Sequence, residues 1–208
     1  MPLKIGSRTI LLYLLICVNT IYSQSIDNCL RVDDTGIIKK AYNSFEKDLF
    51  DYYKFSNDSI KTYRTFLAEV ASLSLDLRKF PSINSIQLAR EFKKNADTKK
   101  SLWIKLSEYE SQEVTKKTSS TTSKKNEKEI LIFNYRGGFI QCLKNTSNSN
   151  DFKEIITTLE NDGNVSTSLI SQKVYYLIDK EFSTIEVKNF IAFDIYYSIL
   201  MVIEKAFK

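Results

Sequence analysis

Asp194 is the residue of this 208-residue chain with the clearest claim to chemistry. It interrupts an apolar run, FIAFDIYYSILMVI over residues 190–203, and stands among Phe190, Phe193, Tyr196, Tyr197 and Leu200. An ionised carboxylate in such surroundings is costly unless it is paired. Asp194 therefore reads either as a general acid with a raised pKa or as a carboxylate paired with an Arg in a cleft. The structural alternatives are an exposed edge position and hydrogen bonds from tyrosine hydroxyls. Hydrolysis of a glycan would need a second acid about 5–10 Å away across a cleft, and the sequence nominates no partner for Asp194.

Arg136-Gly137-Gly138 is the second constellation. A guanidinium beside bare backbone N–H groups suits an anion, and the same residues suit a turn or a helix start. Neither G-x-x-x-x-G-K-[ST] nor G-x-G-x-x-G occurs, so nucleotide binding has no support. The chain contains no histidine. Ser-His-Asp and Cys-His catalysis, His-ligated zinc and His-ligated haem are thereby excluded. No motif calls for a cofactor or a metal. Carboxylate chemistry, Ser-Lys chemistry and oxygen-ligated metals stay open, as does binding without chemistry.

Of three cysteines, Cys17 falls in an N-terminal leader, leaving Cys29 and Cys142. An even pair in an exported chain suggests one disulfide, the alternative being two separate buried thiols. Trp103 and the pair Tyr52-Tyr53 are the aromatics that would serve a sugar or peptide platform if exposed, although core packing is the default for rings at helical spacing. Sequons occur at Asn57, Asn145 and Asn164, as often as this Asn-, Ser- and Thr-rich composition yields by chance. They mark glycosylation only in a eukaryotic host, whereas the Lys/Asn/Ile-rich composition resembles that of exported proteins of AT-rich Gram-negative bacteria.

The elements that must position these residues are helices. Five glycines and two prolines are too few for the frequent turns of an all-β fold. Ile38, Ala41, Tyr42, Phe45, Leu49, Tyr52 and Tyr53 form one helical stripe, with Asp33 or Asp34 as its cap. Ile60, Tyr63, Leu67, Val70, Leu73 and Leu77 form a second, opened by Asp58 or Ser59, and Pro81 ends it or opens the next region. Ile83, Ile86, Ala89 and Phe92 make a third. Leu102, Trp103, Leu106 and Tyr109 make a fourth, capped by Asp97 or Thr98. Residues 114–128 (VTKKTSSTTSKKNEK) lack a core-forming stripe and read as a flexible loop.

Residues 129–135 are of strand length and equally suit a helix start, while 139–143 read as helix. Asp151 and Glu154 suggest a capping box, and Asp162-Gly163 a helix stop. Leu169, Lys173, Val174, Leu177 and Ile178 mark another helix. The last opens at Ser183 or Thr184, with Glu186 in its first turn, and runs to about Phe207. Being apolar on nearly every side, it should be the central core helix. The expected fold is all-α, a compact bundle or array of about seven to eight helices with a buried C-terminal helix.

Lys4, Arg8, the uncharged run 10–18 and Ile21-Tyr22-Ser23 together form a secretory signal peptide, cut near Ser23/Gln24. The run is too short for a bilayer of about 30 Å. Residues 24–208 then form one helical domain. Loss of Lys4 and Arg8 lowers the formal charge from +5 to +3, which supplies no basic face for nucleic acid. The expected protein is a periplasmic or extracellular helical interaction or scaffold domain whose partner is an envelope or extracellular protein. A carboxylate-dependent glycan hydrolase and an inhibitor of a secreted enzyme are the alternatives.

Overall fold

The structure is a computed structural model that describes residues 29, 36–55, 58–96, 102–114 and 130–207. The leader and its cut, the loop centred on 115–128, the caps sought at Asp33, Asp34, Asp97 and Thr98, and the sequon at Asn57 all lie outside them.

Helix α1 (Ile37–Tyr53) buries the expected stripe from Ile38 to Leu49, while Tyr52 and Tyr53 are half-buried against the core edge. It opens at Gly36, which adopts the left-handed conformation with φ 67° and offers no side-chain cap. Helix α2 (Ser59–Ala71) is capped by Asp58, whose carboxylate accepts the Lys61 N–H at 2.9 Å. It stops earlier than the stripe implied. Leu73 turns left-handed (φ 58°), and the Ser74 and Leu73 N–H groups return to the Glu69 and Val70 carbonyls. That is a Schellman closure, and it leaves Leu73 84% exposed. Pro81 opens the next element: Ser82 caps α3 (Ile83–Asn95) by accepting the Ser85 N–H.

Residues 102–105 correct the sequence reading. Trp103–Lys105 is a strand, β1, and only Leu106–Val114 is helical (α4). β1 pairs antiparallel with β2 (Leu131–Phe133), Trp103 facing Phe133 across the ladder. Two further bonds extend the pairing, from Leu106 N–H to the Ile130 carbonyl and from Asn134 N–H to the Leu102 carbonyl. The local pattern of 102–109 fits a helix, yet cross-strand bonds and the burial of Trp103 outweigh it. The same pairing makes 131–133 of the ambiguous segment a strand, with Ile130 and Asn134 bonded at its ends.

The Gly pair starts α5 (Gly138–Thr146), with Gly137 at its cap. α6 (Asn150–Asp162) is capped by Ser149, which accepts the Phe152 N–H at 2.9 Å, rather than by an Asp151/Glu154 box. Gly163 ends α6 at φ 69°. A Cβ there would lie 2.7 Å from the Tyr109 ring, so close approach as well as backbone sign demands glycine. In α7 (Thr167–Tyr175) the buried side is Ile170, Ser171 and Val174, while Leu169 is exposed. A short helix, α8 (Asp179–Phe182), leads to the C-terminal run.

That run is one rod of three textures. α9 (Ile185–Phe190) passes into a π-helical turn (Ile191–Tyr197) and then into α10 (Ser198–Ile203), closed by a 3-10 turn at Glu204–Ala206. The cap residue, Thr184, makes no side-chain cap bond. Every residue of the π turn is buried. α1 and α7 pack on it, α3 packs on α10, α5 packs on α9, and α7 lies along α2. The fold is all-α with its C-terminal helix in the core. Among the described residues no helix is long and apolar enough to cross a membrane.

Candidate functional site

Wide helical turns are rare and occur as local insertions where side chains must be re-aimed. Here the widening directs three polar side chains of one core rod to three partners. Asp194 meets the Tyr135 hydroxyl, which donates at 3.1 and 3.2 Å to its two carboxylate oxygens. Tyr196 donates to Asp48 Oδ2 at 2.5 Å, and Tyr197 donates to the Ala41 carbonyl at 2.9 Å. Trp103 locks the turn from outside. Its indole N–H donates to Ser198 Oγ at 3.0 Å, and that hydroxyl reaches the Phe193 carbonyl five residues back. Trp103 is 2% exposed, so it is a core ring that holds the turn.

Asp194 is almost fully buried. Burial pushes its carboxyl up to about 8, and the Tyr135 hydrogen bond draws it only partly back. Desolvation and the neighbouring Asp194 in turn raise Tyr135. The sequence reading set a general acid against a tyrosine-bonded core acid, and the geometry supplies the features of both. Among the described residues Asp194 is 3% exposed. Two surface hollows among these residues, one beside α6 and α7 and one beside Arg64, are lined by other residues.

Tyr135 is held by its neighbours. Gln141 donates to its carbonyl at 2.7 Å, and Asn134 Oδ1 accepts the Arg136 N–H in a tight turn. The Arg136 guanidinium lies 4.0 Å from the Tyr109 ring centre and donates to the Tyr109 and Glu160 carbonyls. Its donors therefore serve the carbonyl-rich end of α6 and tie the Arg136-Gly137-Gly138 corner to it. Cys29 and Cys142 form a disulfide with their Cα atoms 5.6 Å apart, anchoring α5 just beyond that corner.

On the other side of the π turn lies a polar network that the sequence reading missed. Asp48 Oδ2 also accepts the Ser82 N–H at 3.0 Å. Ser44 and Ser85 share a 2.7 Å hydrogen bond, and Asn84 donates to Ser44 Oγ from the surface. Burial raises Tyr196 and Tyr197, and hydrogen bonds with Ser85 oppose the rise in both. A signal for Asp48 was available, since it sits within the stripe Phe45, Asp48, Leu49, Tyr52 and so on the core face. Arg64 was missed as well. It donates to the Tyr175 and Leu177 carbonyls and to Asp179, with its guanidinium 4.4 Å from the Phe182 ring centre.

The first hollow, about 510 Å³, lies between the end of α6 and the start of α7. The second, about 600 Å³, is bordered by Asp58, Lys61, Arg64, Tyr175 and Asp179. Tyr176 and Ile178, next in sequence to its lining residues, are 74% and 59% exposed. Among the described residues no group of three or more metal-ligating side chains converges. Compared with family models, curated proteins and solved structures, the chain matches none.

Proposed function

We propose that this protein is an exported helical domain, stapled by Cys29–Cys142, that acts by binding an envelope or extracellular protein rather than by catalysis. One observation carries the reading: the acid best suited to chemistry, Asp194, is buried in the core and hydrogen-bonded by Tyr135. A general acid must come within hydrogen-bond reach of its substrate. Arg136, the other candidate, spends donors on the Tyr109 and Glu160 carbonyls. What the surface offers instead is apolar area beside a hollow, at Tyr176 and Ile178. Such area on an exported chain suits a protein contact.

The test is an activity assay on envelope and extracellular glycans with the purified protein and Asp194→Asn. The expected outcome is no turnover by either. Turnover that disappears in Asp194→Asn would overturn the reading and restore a carboxylate hydrolase.

A further inference from the structure

We propose that Asn164 carries an N-linked glycan whose first sugar lies over the hollow between α6 and α7. The proposal rests on the export reading above. Sequence alone tied all three sequons to a eukaryotic host; we depart from that at one of them, because only Asn164 has an acid, Asp162, two residues before it, and the structure further separates the two sequons it describes.

Around Asn164 the chain reads Asp162-Gly163-Asn164-Val165-Ser166. Gly163 halts α6, and the Asn164 N–H bonds the Asp162 carbonyl at 2.8 Å, so Asn164 stands on a tight reversal between two helices. Asn164 and Ser166 are both exposed. Ser166 caps α7 without a side-chain cap bond, which leaves its hydroxyl uncommitted to the helix. A transferase must grasp the asparagine amide and the hydroxyl two residues on, and both are presented here. The hollow beside them is lined by Asp162, Val165, Leu169 and Lys173 among others. Leu169 is 53% exposed and offers an apolar surface to the C–H face of a pyranose. Asp162 supplies a carboxylate two residues before the asparagine, on the same hollow, as a handle for a basic transferase site.

At the other described sequon Asn145 is exposed too, but its hydroxyl partner is not. Asn145 and Thr146 belong to α5, and the Thr146 hydroxyl donates to the Cys142 carbonyl at 2.9 Å. Ser147 is 2% exposed, and its oxygen accepts the Ser149 N–H. The residue two before Asn145 is the fully buried Leu143.

The donor required is an oligosaccharide linked to a polyprenyl diphosphate. The Asn164 amide nitrogen bonds to C1 of the first sugar as the C1–O bond to the diphosphate breaks. The diphosphate leaves with the electron pair, and the nitrogen gives up one proton to the enzyme's base.

The full chain, in an Asn57→Gln background and behind a surrogate export leader, would be expressed in two hosts. One is a bacterial periplasm supplied with a single-subunit oligosaccharyltransferase and its lipid-linked donor; the other is a eukaryotic secretory pathway. Glycopeptide mass spectrometry locates the sugar. Modification of Asn164 in either host, abolished by Asn164→Gln and retained in Asn145→Gln, sustains the proposal, and Asp162→Ala should lower occupancy several-fold in the bacterial host. Export of a chain with Asn164 bare in both hosts, or with sugar on Asn145 alone, overturns it. The surrogate leader makes the result independent of residues 1–23, whose own cleavage is read from the N-terminal mass of the chain expressed without it.

Discussion

Asp48 and Asp194 are both buried aspartates hydrogen-bonded to tyrosine at the π turn, yet they are satisfied very differently. Asp48 accepts from a hydroxyl and a backbone N–H and adjoins a serine network that reaches the surface through Asn84. Asp194 has the Tyr135 hydroxyl, shared between its two oxygens, deep among aromatic rings. Two buried carboxylates at one π turn thus differ in the number and kind of donors that reach them. One side of the turn is a settled polar joint. The other is a carboxyl held near its neutral form.

The largest expected effects come from breaking what supports each side. Asp48→Ala strands the buried Tyr196 hydroxyl and the part-buried Ser82 N–H, and a buried donor left unpaired costs about 1–3 kcal/mol; denaturant unfolding should show a loss of roughly 2–4 kcal/mol. Replacing Cys29 and Cys142 together by serine should cost a similar ~2–5 kcal/mol. That change releases the α5 side, so amide exchange should quicken around Tyr135 before it does around Asp48.

A subtler break concerns pH. The folded-state pKa of Asp194 is raised from 3.8 to about 8, so within that window the native state binds a proton that the unfolded chain has released. Its contribution is complete below about pH 4 and is lost as pH rises through about 8. Asp194→Asn should flatten the fall in stability between those limits, whatever constant offset the amide introduces. Melting temperatures across that range would show it, and an unchanged slope would refute the assignment. Tyr135→Phe should carry the same fall to higher pH, because the donor that opposes desolvation is gone.

The smallest effect serves as a control remote from both sides. Leu73→Gly removes a left-handed non-glycine residue of which 84% is exposed. It should stabilise by up to ~1 kcal/mol, equally at all pH values. Combined with Asp194→Asn, its effect should simply add.

Most of the helical frame was legible in the sequence because amphipathic stripes with capping residues are local facts. Asp58 and Ser82 cap where side-chain oxygens precede a stripe, and Gly163 stops α6 as glycine does. Leu102 and Trp103 misled for the converse reason. Their spacing suits a helix, but their partners lie beyond residues 115–129, and a ladder bond across that distance leaves no local trace. Leu73 continued a stripe that backbone geometry had already ended. Asp194 could be singled out because its neighbours in sequence are also its neighbours in the core.

Residue order alone thus determined that the chain is helical, that its last helix is buried, that no imidazole chemistry is available and that Asp194 is anomalous. These follow from composition and from periods of three to four residues. Only the tertiary structure decided that the last helix widens into a π turn, that Tyr135 rather than an arginine meets Asp194, and that Asp48 shares the same rod. It also set Asn164 apart from Asn145. Each of these depends on which groups from distant segments come within hydrogen-bond reach, a long-range matter on which local periodicity is silent.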